Sequence, residues 1–91
     1  MAKFINSGAA TGAAVSDSDI LIMECLLTAP SSHDCVLTIK GEGSTAIVLA
    51  AKAGTSASYP NAASTPVASS RVKGPVTVDV TGADAFVRIE F

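Results

Sequence analysis

Hydrophobic positions recur at every second residue over much of this chain. Val76, Val78 and Val80 alternate with Thr77, Asp79 and Thr81, and a Thr81-Gly-Ala-Asp84 turn follows. Beyond it Ala85, Val87, Ile89 and Phe91 alternate with Phe86, Arg88 and Glu90. Successive side chains of a strand point to opposite faces, so each run has one apolar face and one mostly polar face. Together they predict a closing β-hairpin. Cys35 to Lys40 repeats the pattern, with Cys35, Leu37 and Ile39 on one face. Gly41 to Thr45 reads as a hairpin connection and Ala46 to Ala51 as its return strand. Val67 to Val72 reads as the start of a further strand.

Two stretches break the alternation. Ile20 to Leu27 is continuously apolar apart from Glu24. Asp17 and Asp19 just before it resemble a helix N-cap, but the run is short, starts β-branched and stops at Ala29-Pro30. It predicts a buried strand. Gly54 to Pro66 is rich in Ser, Thr and Ala and predicts a long loop, either functional or poorly ordered. The first sixteen residues carry a small apolar patch, Phe4 and Ile5, and then thin into Ala and Gly. Such small residues anchor no core, so the segment reads as a flexible arm or as a strand that adds to something else.

The sum is six or seven short strands with turn signals at short intervals and no long helix. It predicts an all-β fold, a small antiparallel β-sandwich or jelly-roll-like barrel. Residues 1–16 form the flexible N-terminal arm and residues 17–91 the single sandwich domain. No internal repeat is visible.

Composition narrows the function. A chain of 91 residues has room for one core. Its 48% hydrophobic content includes sixteen alanines, so the core falls to Val, Ile and Leu with three Phe and one Tyr. The positive mean hydropathy points to apolar surface covered by another chain. Six scattered basic residues and a net charge of −2 offer no phosphate-binding patch, which argues against nucleic acid. No signal-peptide core and no membrane-spanning run occurs, which predicts a cytoplasmically made, soluble chain. Cys25 and Cys35 would face each other if the chain between them were a hairpin centred on Pro30. A disulfide is then sterically allowed, although a cytosolic product favours two buried thiols.

Candidate chemistry is thin. Ser32-His33-Asp34 holds the residue types of a hydrolase triad, but three neighbours in one turn do not converge as a triad must. Cys25, His33, Asp34 and Cys35 lack the paired spacing of a zinc site. Asp17 and Asp19 lack the later ligands of a calcium loop. Gly41-x-Gly43 joins strands instead of opening a helix, so it is no dinucleotide fingerprint. No cofactor or metal is expected, and no enzymatic activity. Sugar modules stack rings on exposed aromatics, and here Tyr59 is the plausible platform. Phe86 lies on the face opposite Val87 and Ile89, where packing against a neighbouring chain would suit it.

From Cys35 to Phe91 the chain resembles the small β-sandwich structural proteins of tailed bacteriophages, capsid decoration (cement) proteins among them. The likeness rests on Leu37-Thr-Ile-Lys-Gly41, the Gly/Ser/Thr turn, Ala46-Ile-Val-Leu-Ala-Ala51, the Ser-rich loop and the closing Val80-Thr-Gly-Ala-Asp-Ala-Phe-Val-Arg-Ile89. It implies a non-enzymatic virion protein, made in the host cytoplasm, that binds the major capsid protein on the outer head surface. It also implies a homo-oligomer, with a trimer favoured by analogy. A neck, tail or baseplate subunit and a fibre-tip module for sugar or receptor are the alternatives. The expected contact residues are Ala2, Lys3, Phe4, Ile5, Asn6, Tyr59 and Phe86, with the segment from Ala2 to Gly12 ordering on its partner by strand addition.

Overall fold

The computed structural model describes residues 2–42, 44–59 and 70–91. It is all-β, and among those residues there are ten strands and no helix. These are β1 (Lys3–Ser7), β2 (Ala10–Ser16), β3 (Ile20–Ile22), β4 (Glu24–Thr28) and β5 (Cys35–Gly41). They are followed by β6 (Ser44–Ala51), β7 (Ser56–Tyr59), β8 (Ser70–Val72), β9 (Val76–Thr81) and β10 (Phe86–Glu90). The first sheet has the order β1-β10-β4-β7, the second β2-β9-β5-β6, and β3 with β8 forms a two-stranded ribbon.

The pairing is nested. β5 pairs with β6, β4 with β7, β3 with β8, β2 with β9 and β1 with β10, all antiparallel. The chain is therefore one long hairpin, folded back between β5 and β6 and rolled up until β10 meets β4 and β9 meets β5. This is the strand order of a jelly roll, within the expected fold class.

Rolling the hairpin corrects two local expectations. β9 and β10 lie in different sheets, so residues 82–85 form a crossing between sheets and not a hairpin turn. β4 and β5 are likewise in different sheets, so Cys25 and Cys35 do not pair across a hairpin; both are free and buried. The amino-terminal segment is corrected as well. Residues 3–7 and 10–16 are the edge strands β1 and β2 of the domain's own sheets, so the division at residue 16 has no counterpart in the pairing.

The alternating runs build the core as expected. Val76, Val78, Val80, Leu37 and Ile39 of the second sheet are all buried, facing the equally buried Val87, Ile89, Cys25 and Leu27 of the first. The apolar run from Ile20 divides at Met23: Ile20 and Ile22 are buried with Val72 beneath the ribbon, and the buried parity then shifts to Cys25 and Leu27. Part of the expected loop from Gly54 is the strand β7, whose Ala57 and Tyr59 pack against the core. The rest of that loop, and the expected strand start at Val67, lie outside the described residues.

Candidate functional site

Three regions carry exposed or chemically distinctive groups. The first is the outer face of the first sheet. Strand register sets its rows: Lys3, Glu90 and Glu24; then Ile5, Arg88, Leu26 and Ser58; then Ser7, Phe86, Thr28 and Ser56. Side chains directly opposite in a sheet lie about 5 Å apart at Cβ, with diagonal neighbours still in reach of long side chains. Ile5, Leu26 and Phe86 thus form one apolar area around the Arg88 stem. Ile5 is 57% exposed and Phe86 37%.

The charges on this face are matched. Arg88 Nη2 donates to Glu24 Oε1 at 2.9 Å, and Lys3 Nζ lies 3.7 Å from Glu90 Oε1. Among the described residues the buried Arg88 Nε has no hydrogen-bond partner, and the guanidinium is engaged through Nη2.

The second region is the end of the sandwich where β10 finishes and the ribbon begins. Here Ser16, Asp19, Ile20, Leu21, Met23 and Phe91 line an open, mostly apolar hollow of about 530 Å³. Leu21 and Met23 are both exposed. Asp19 is held by the backbone it caps, accepting the Gly74 N–H at 2.9 Å.

The third is the opposite end, where the four direct connections between strands of the two sheets lie side by side: β1 to β2, β4 to β5, β6 to β7 and β9 to β10. Ser32, His33 and Asp34 sit in this rim as staples. His33 Nε2 donates to the Ala83 carbonyl, which leaves Nδ1 as acceptor for the Ser32 hydroxyl at 3.0 Å. Asp34 Oδ1 accepts from Ala53 N–H at 2.8 Å and does not orient the imidazole. Gly54 N–H donates to the Pro30 carbonyl and Gly8 N–H to the Ala85 carbonyl, tying the remaining crossings together. Of the three residue types of a triad, His33 and Asp34 are thus held by backbone and Ser32 by its neighbour's ring.

Both thiols are inert in the native fold. Burial, with Glu24 beside it, pushes Cys25 up to about 12, and burial with Asp34 nearby raises Cys35. On the second sheet's outer face Lys40 Nζ lies 2.7 Å from Asp79 Oδ2, and the Gly12 N–H donates to Asp79 Oδ1. The Lys40 and Gly12 donors hold the Asp79 carboxyl below its ordinary value. Among the described residues no three His, Cys, Asp or Glu side chains gather to hold a metal, and no helix is long and apolar enough to cross a membrane.

The structure divides the expected contact residues. Lys3, Ile5 and Phe86 share the outer face of the first sheet. Phe4 and Asn6 point the other way, Phe4 packing on the core, and Ala2 is exposed while its backbone bonds that of Phe91. Tyr59 is half-buried against the core, remote in register from Phe86. Leu21, Met23 and Leu26 were not legible as surface residues, because the run from Ile20 reads as wholly buried. The available signal was that an antiparallel strand apolar on both sides implies a second face to be covered.

Comparison with known proteins finds no matching family model, no matching curated protein and no matching solved structure.

Proposed function

We propose that this chain is a non-enzymatic structural protein of a bacteriophage particle, a decoration protein seated on the outer surface of the head. The carrying observation is the outer face of the first sheet, where Ile5, Leu26 and Phe86 adjoin and the charges around them are already paired. A face of this kind loses little when it is covered, because its apolar area leaves water and its ions keep their partners. The jelly-roll order is compatible, being shared by capsid and lectin domains. Fold alone names no function, so the reading also draws on the resemblance of Cys35 to Phe91 to phage structural proteins.

Contact through this face replaces the idea of an arm that orders on binding, since Ala2 to Gly12 already belongs to the domain's edges. The sugar-module alternative has less support: the Tyr59 ring is half-buried against the core instead of standing exposed as a stacking platform would.

The test is the copy number of the chain in purified particles, by quantitative mass spectrometry against the major capsid protein. A ratio near one, or a simple fraction of it, is expected. A handful of copies would move the protein to the neck, tail or baseplate, and absence from the particle would overturn the reading.

A further inference from the structure

Among the described residues the two sheets have four edge strands, and three of them are protected against pairing with another chain. β1 carries Lys3 at its start and is five residues long. β2 is interrupted by register shifts between Ala10 and Ala13 and between Ala14 and Ser16. β7 has four residues among those described. Short length, charge and bulges are the devices by which natural sheets blunt an edge.

β6 has little such protection. It is eight residues long, Ser-Thr-Ala-Ile-Val-Leu-Ala-Ala, with no charge, proline or glycine. One register shift lies towards its hairpin end, and Ile47 to Ala51 then pairs in unbroken register with Cys35 to Ile39. It ends the sheet order, so among the described residues no strand takes up its outer side. Val48 is 56% exposed on the outer face, while Ile47 and Leu49 lie only half-buried at the margin of the core.

We propose that the outer edge of β6 is a self-association site, at which two copies of this chain pair antiparallel about a two-fold axis into one continuous eight-stranded sheet. The sequence of the strand suits a second copy. Antiparallel pairing centred on the regular stretch keeps inward positions opposite inward ones, so the two Leu49 side chains would meet and Ile47 of each copy would lie opposite Ala51 of the other. With Leu49 on the axis, Lys52 of one copy faces Ala46 of the other, and the two lysines stay apart. A two-fold contact also uses up the edge and closes the assembly. The result is a dimer in place of the trimer that analogy suggests.

The test needs only the purified chain, so its failure is distinguishable from failure of the particle reading. Sedimentation velocity at concentrations up to about 100 µM, well above the dissociation constant of an ordinary stable dimer, should give twice the 9.1 kDa chain mass. Val48→Lys places a charge at an exposed edge position that tolerates it, and should give a monomer with an unchanged circular dichroism spectrum. Ile5→Lys, on the opposite edge, should remain dimeric. A monomeric wild type, a wild type of any other stoichiometry, a dimeric Val48→Lys, or dissociation by Ile5→Lys would each overturn the proposal.

Discussion

The two ends of the sandwich are built differently. At one end four crossings lie together, and side chains and backbone of neighbouring crossings bond one another through His33, Asp34, Gly54 and Gly8. At the other end the sheets are closed by a ribbon and a hairpin, leaving Leu21 and Met23 exposed around a hollow. The contrast follows from topology: the rolled hairpin collects its direct sheet-to-sheet crossings at one end and passes between the sheets through the ribbon at the other. It teaches that hydrogen bonds between neighbouring crossings fasten the first end, while the second adds to its Asp19–Gly74 and Glu42–Pro75 bonds the apolar packing of Ile20, Ile22 and Val72.

The largest effect that would test this contrast is at Gly82. Its φ is +114°, which disfavours an L side chain, and an added Cβ would run into the Cys35 sulfur. Gly82→Ala should cost about 3 kcal/mol from backbone strain and overpacking together, read as a lowered urea midpoint. A loss of only a few tenths would mean that the rim yields easily and that the contrast is false.

A smaller pair of changes sharpens it. His33→Ala removes the bond to Ala83 and should cost about 1 kcal/mol. Leu21→Ser at the open end should stay within roughly 0.5 kcal/mol, because the residue is exposed. Equal losses in chemical denaturation would erase the difference between the ends.

The smallest expected effect serves as a reference away from both ends. Asp79 titrates below its unfolded value, near 3.9, because Lys40 and Gly12 donate to its charged form. Its contribution is therefore complete above that pH and is lost as pH falls through the native value. The stability gap between wild type and Asp79→Asn should be constant from pH 7 to 5 and shrink below pH 4. A gap that widens in acid would show that the carboxylate is not stabilised in the fold.

Legibility differed from element to element. Val76 to Thr81, Phe86 to Glu90 and Cys35 to Gly41 were readable because one buried face per strand imposes a period of two on the side chains. β2 was not, since Ala10 and Ala13 at a sheet margin carry little hydrophobic signal even though they pack on the core. β7 reads as polar loop by composition, although Ala57 and Tyr59 do alternate with Ser56 and Ser58. On the candidate face, Ile5 and Phe86 were legible as isolated residues. Their neighbour Leu26 was not, because register across β1, β10 and β4 is what brings the three together.

By itself, then, the sequence determined the fold class, the strands with strong alternation, their inward residues and the hairpin that joins β5 to β6. Tertiary structure alone decided which strands share a sheet, and with that the jelly-roll order, the stapled rim and the exposed edge of β6. The physical reason is that alternation states that a strand has one face to bury but not against which partner. A turn such as Thr81 to Asp84 satisfies that demand equally well as a hairpin within one sheet or as a crossing between two. The choice falls to contacts between residues as distant as Phe4 and Ile89, which no local window of the sequence contains.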